Sequence, residues 1–151
     1  MRILTTAVAA LLLVTVAQVT KADNSTVLGK WLTKEGKSHV EISRCDAGLC
    51  GKVVWLRNPV YPADDERGMA GKKKVDRENP SPGLRDTPIL GLTVLKGFKT
   101  RNGNVWENGT IYDPENGKTY KCKLTLSNPN QLDVRGYIGF SWIGRTTVWT
   151  R

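Results

Sequence analysis

Turn-forming dipeptides cut this chain into short β-type runs and leave no room for a long amphipathic helix. Ser38 to Ser43 sets Val40 and Ile42 against His39 and Glu41, the alternation of a strand with one face covered. Gln131 to Ile138 does the same, with Leu132, Val134, Gly136 and Ile138 against Asp133, Arg135 and Tyr137. Asn102-Gly103 and Asn116-Gly117 adopt positive φ at low cost, and each predicts a hairpin between the runs it separates. The strands expected from these patterns are 25–33, 38–43, 49–57, 89–100, 105–113, 119–127, 131–138 and 145–151.

Eight short strands joined mainly by tight turns imply up-and-down order. We therefore expect an all-β fold, a single antiparallel barrel, because closure removes the exposed edges that an open sheet would leave. Glycines inside the runs (Gly91, Gly97, Gly109, Gly136, Gly139) suit the bends and close approaches of a small barrel. A β-sandwich of the same strand count is the alternative. The regular spacing breaks once, at 58–88, which holds five of the seven prolines and Lys72-Lys73-Lys74. A connection that long inside a small domain is usually functional. A short helical turn is expected near 64–71.

Residues 1–22 read as a cleavable signal peptide. Met1-Arg2 gives a positive start, 3–19 is almost uncharged and apolar, and small residues at Ala17 and Ala22 offer cleavage points, Ala22 preferred. The strictly apolar stretch 7–17 falls well short of the roughly 20 residues that span a bilayer, so no transmembrane anchor is expected. Residues 23–151 then form one domain, exported to the periplasm or the medium. Cleavage removes Arg2 and Lys21 and leaves 21 basic residues against 14 acidic ones, a net charge of +7. Cys45 and Cys50 bracket a turn, and in an oxidising compartment they pair as a disulfide. Cys122 keeps register with Tyr120, Leu124 and Leu126 and reads as a small buried apolar residue.

Catalytic chemistry finds few supports. The single histidine, His39, sits on the polar face of its strand beside Glu41 and reads as solvent-facing. Asp64-Asp65-Glu66 is a charge run of the solvated kind. Three cysteines and one histidine at these spacings match no zinc pattern, and no phosphate-binding glycine loop occurs. We expect a non-enzyme with no metal and no cofactor. The basic balance invites a nucleic-acid reading, but the tryptophans lie mainly within apolar runs rather than interleaved with basic residues, so nucleic acid is not an expected partner.

The aromatic residues point elsewhere. An eight-stranded barrel is just wide enough to hold one small ligand. Trp55, Trp106, Tyr112 and Tyr137 are the candidates to line such a cavity under the long connection. The expected function is binding of a small hydrophobic or lipid-like molecule. The alternative is an envelope module without a small-molecule ligand, touching anionic lipid, glycan or a protein through Lys72 to Lys74.

Two resemblances sharpen this. Gly29-Lys30-Trp31 is similar to the Gly-X-Trp signature of lipocalins. That resemblance implies that Trp31 plugs one barrel end beneath an arginine of a late strand, Arg145 or Arg151. The chain also resembles a family of small secreted bacterial proteins catalogued as domain of unknown function 2147. It does so through Cys50-Gly51-Lys52-Val53-Val54-Trp55-Leu56, Asp76 with Asn79-Pro80, Leu84-Arg85, 88–92, Trp106 followed by Gly109, 111–114, 116–120, Leu132, 134–137 and 144–151. Asn108 stands where a second glycine is expected and Thr87 where arginine is usual. The resemblance implies a lipocalin-like fold with a cavity for a hydrophobic molecule. Asp76 is expected to pair with Arg85 or with Arg135 and so to pin the long connection to the barrel.

Overall fold

A computed structural model describes residues 26–151; the expected signal peptide and the first residue of the expected first strand lie outside them. Eight strands succeed one another in order: β1 Gly29–Leu32, β2 Ser38–Cys45, β3 Gly48–Leu56, β4 Thr93–Asn102, β5 Val105–Asp113, β6 Lys118–Asn128, β7 Gln131–Tyr137 and β8 Gly144–Thr150. Each pairs antiparallel with the next, and β8 returns to β1 through Leu32 and Thr150. The result is a closed up-and-down barrel, which excludes the sandwich. All eight strands lie within the described residues, and they close the ladder.

Inward positions follow the alternation in β2, β6 and β7, while β4 buries Val94, Leu95 and Phe98. Trp31, Val40, Ile42, Leu95, Phe98, Leu124, Leu132 and Trp149 are buried in one core. Cys122 belongs to it, fully buried, and desolvation pushes its thiol up to about 12, which keeps it protonated and unreactive. The Phe98 ring lies where a side chain at 109 would stand, so Gly109 is what allows it there.

Local chemistry moves some boundaries. The β4–β5 turn is Gly103-Asn104, with Asn102 still paired to Val105. The stretch 89–92 is turn rather than strand, and β4 starts at Thr93. The expected helical turn at 64–71 does not form. The Asp65 carboxylate instead accepts the backbone N–H groups of Arg67 (3.2 Å) and Met69 (3.1 Å). Such side-chain bonds compete with helix for the same donors. The short 3-10 turn of this connection lies at Pro82–Leu84.

Cys45 and Cys50 are disulfide-bonded across the β2–β3 turn. By loop-closure entropy a ring of six residues is worth about 2 kcal/mol. Reduction is therefore expected to lower the unfolding free energy by that amount without opening the barrel, measured by urea titration with and without reductant.

Candidate functional site

The up-and-down order places the β2–β3, β4–β5 and β6–β7 turns at one end of the barrel and the remaining connections at the other. The first end is sealed. Trp31 is fully buried, and its indole N–H donates to the Val27 carbonyl at 2.8 Å. Arg151, from the last position of the chain, sets its guanidinium 4.2 Å from the centre of the Trp31 ring. Its N–H groups donate to the carbonyls of Pro129 (2.7 Å), Leu28 (3.0 Å) and Thr26 (2.8 Å). One arginine thus ties together the segment before β1, the β6–β7 turn and the plug. Arg145 is not that residue: it stands opposite Gly136, toward the other end.

The second end is built differently. Ile111 pairs with Tyr120, and Gly136 pairs with both Cys122 and Arg145, so these residues share the inner wall. A side chain at 136 would meet Ile111 and Tyr120 at 3.7 Å, ordinary contact distance, and it is absent. On the β3–β4 side, by contrast, a side chain at 51 would collide with Leu95 and Val40 at 2.9 Å. A Cβ at 136 would therefore pack against Ile111 and Tyr120 without a clash, with Arg145 opposite it on β8.

The long connection from β3 to β4 packs on the outside. Tyr112 comes after inward-facing Ile111 and so points out of the barrel. Its hydroxyl donates to Asp76 Oδ1 at 2.7 Å, and the Asn79 amide donates to Asp76 Oδ2, also at 2.7 Å. Asp76 is fully buried, and its partners are a phenol and an amide, not Arg85 or Arg135 as expected from sequence. Through Tyr112, Asp76 fastens the connection to β5. Burial first, and then the Asp76 bond, push the Tyr112 phenol up to about 12. Arg85 donates to the Asn79 carbonyl at 2.9 Å and braces the same segment. Next to it Tyr61 is sandwiched: its hydroxyl donates to the Val75 carbonyl and accepts the Val75 N–H, while Arg77 lies 4.2 Å over its ring. Arg77 also donates to Asp65 at 2.8 Å, and that bond holds the Asp65 carboxyl below its usual range. At Gly117 (φ +69°) a side chain would strike the Glu78 carbonyl, so only glycine lets the connection close against the β5–β6 turn.

Of the four aromatic candidates, the structure puts one inside. Trp106 is buried beside Leu124 in the core. Trp55 is 43% exposed on the outer face, against the His39 ring at 5.0 Å. The cause is a β-bulge: Val53 pairs with Val40 but Trp55 pairs with His39, so Val54 is an extra residue that flips the rest of β3 to the other face. Tyr112 faces Asp76. Tyr137 shares an outer row with Lys121 and Thr110. Arg135, also outward, donates to the carbonyls of Ser141 (2.6 Å) and Trp142 (3.1 Å) and to the Thr146 hydroxyl (2.9 Å), folding the β7–β8 connection back over the outer wall.

That connection carries features that strand alternation alone does not reveal. Ile138, Phe140, Trp142 and Ile143 are each more than 60% exposed, and the Phe140 and Trp142 rings stack at 4.4 Å. Their one sequence signal is a cluster of large apolar residues interspersed with Gly139, Ser141 and Gly144 rather than with strand-type partners. Between this loop and the outer row lies a cleft of about 450 Å³, lined by Thr110, Lys121, Tyr137, Phe140 and Trp142 among others. Lys72 and Lys73 are exposed on the long connection. Among the described residues no cluster of His, Cys, Asp and Glu could hold a metal ion.

The family described as "Uncharacterized protein conserved in bacteria (DUF2147)" matches residues 29–151. Among solved structures the chain is similar to the protein HP1028 from Helicobacter pylori, described as belonging to the lipocalin family. The TM-score is 0.68 at 23% identity, covering 83% of this chain and 82% of that one, a likeness of fold. No curated protein matches.

Proposed function

The chain belongs to this bacterial DUF2147 family, and from that membership and its lipocalin-like barrel we propose an exported carrier that takes a small apolar or lipid-like molecule into the open half of the barrel. The observation that carries the reading is the asymmetry of the two ends. Trp31 and Arg151 close one end, whereas the inner wall at the other lacks a side chain at Gly136. Ile111 and Tyr120 offer apolar surface there, and Arg145 supplies a cation at the rim, so an acyl chain with an anionic head fits the arrangement. Each CH₂ buried contributes about 0.8 kcal/mol. An eight-carbon chain gains about 6 kcal/mol before the cost of association, which corresponds to modest affinity.

Export is part of the proposal. It rests on the N-terminal pattern of 1–22 and on the Cys45–Cys50 bond, which persists in oxidising compartments. Binding without catalysis is part of it as well. Asp76, the fully buried carboxylate of the described residues, is engaged on both oxygens by Tyr112 and Asn79.

Titration with a fluorescent fatty-acid probe tests the reading. Gly136→Val places a side chain against Ile111 and Tyr120 at a position whose φ is not positive. Probe affinity is expected to fall at least tenfold with the melting temperature held within a few degrees. Equal affinity in parent and variant would move the ligand elsewhere.

A further inference from the structure

We infer that the β7–β8 connection, 138–143, is a membrane-docking element that seats the protein on an anionic lipid surface. Docking of this kind needs no ligand in the barrel. Four large apolar side chains stand in water within six residues: Ile138 at 71% exposure, Phe140 at 61%, Trp142 at 71% and Ile143 at 63%. Scattered single apolar residues are ordinary on a protein surface, but a cluster of this size marks a contact surface. This cluster is held in place. Arg135 gives three bonds to the connection and its flank, and Ile143 N–H donates to the Phe140 carbonyl at 3.0 Å. At its end, Gly144 packs so closely on the Gly136 carbonyl that no side chain fits. The apolar group is thus presented ready-made, and little conformational entropy remains to be lost on contact.

Composition and charge select the partner. Tryptophan and phenylalanine beside isoleucines are the side chains that settle at the boundary between headgroups and acyl chains. The cations beside them match an anionic headgroup layer. Lys121 is the one charged residue lining the cleft behind the loop, and exposed Arg145 comes just after the connection in β8. Thr110 and Tyr137 add hydroxyl donors next to Lys121, so the cleft suits a phosphate of a lipid headgroup while Phe140 and Trp142 reach the acyl region. The contact runs through an apolar loop with flanking cations, not through Lys72 to Lys74. Because 138–143 belongs to the end opposite the Trp31 plug, docking brings the open end of the barrel to the bilayer.

The test is co-sedimentation of residues 23–151, which carry every strand and the core, with vesicles. This keeps the apolar run at 3–19 out of the measurement. Binding is expected to mixed phosphatidylglycerol–phosphatidylethanolamine vesicles, weaker binding to phosphatidylcholine, and a decline with salt. Phe140→Ser/Trp142→Ser should bind at least tenfold more weakly to both, with an unchanged circular dichroism melt because both side chains are exposed. Lys121→Gln/Arg145→Gln should lose the preference for phosphatidylglycerol and keep the weaker binding to phosphatidylcholine. Parent protein that binds neither vesicle, or a Phe140/Trp142 variant that binds like the parent, would overturn the inference. So would a dimer of the parent that the same variant dissociates while vesicle binding is absent, which would give the patch to a second copy of the chain.

Discussion

Replacing Trp31 with alanine is expected to cost about 3–5 kcal/mol and to lower the melting temperature by roughly 10 °C or more. Trp31 is fully buried at the sealed end, where it fills the barrel, donates to Val27 and receives Arg151 on its face. No neighbour of that size is free to take the space. Trp31→Phe keeps an aromatic ring and forfeits the indole N–H, so its cost is expected nearer about 1 kcal/mol. Arg151→Ala should cost about 1–2 kcal/mol, because the arginine is exposed and its bonds are replaced by water. In a double-mutant cycle the pair should couple by about 0.5–1 kcal/mol. Additive effects would show that ring and guanidinium are merely neighbours.

The second large effect belongs to Asp76. Alanine there removes two hydrogen bonds to a buried carboxylate and leaves the Tyr112 hydroxyl and the Asn79 amide without their acceptor, a loss of about 3 kcal/mol. The damage should be local first. Asp76 fastens the 58–88 connection to β5, so limited proteolysis is expected to cut within that segment in Asp76→Ala while the barrel stays intact. Simultaneous loss of both would mean that the connection and the barrel unfold as one unit. Burial of Tyr112, together with the same bond, has a signature in alkali. In the folded chain the Tyr112 phenol keeps its proton up to about 12, whereas a free tyrosine loses it near about pH 10. The folded state therefore holds the extra proton between those values. The stability it contributes is complete below about pH 10 and drains away as pH rises through about 12. Denaturant midpoints at about pH 9 and about pH 11, on either side of the free tyrosine value, should diverge more in the parent than in Tyr112→Phe.

What the sequence disclosed and what it hid divide along physical lines. Strand order and closure derive from alternation and turn residues, both local, and a chain of hairpins has little choice of topology. The disulfide is equally local, two cysteines bracketing a turn. The fate of Trp55 is not: alternation through Leu49, Gly51 and Val53 would turn it inward, and one bulge residue, Val54, turns it out. Nothing in the residue string marks that bulge. The partners of Asp76 are hidden for another reason. Charge complementarity directs attention to Arg85 and Arg135, yet a carboxylate can be satisfied by neutral donors, and Tyr112 lies 36 positions away. Arg135 is occupied instead by the β7–β8 connection, whose first apolar residue, Ile138, alternation assigns to a strand. The resemblance to lipocalins offers two arginines for the plug, and the choice of Arg151 over Arg145 needs the register of β8 against β7.

Whether the barrel holds a molecule is the central question. Native mass spectrometry of residues 23–151, with organic extraction of the bound material, measures this directly. A carrier should show a reproducible adduct of lipid-like mass that is lost on denaturation and is much reduced in Gly136→Val. A bare protein mass, together with no uptake of added fatty acid by that same preparation, would contradict the carrier reading.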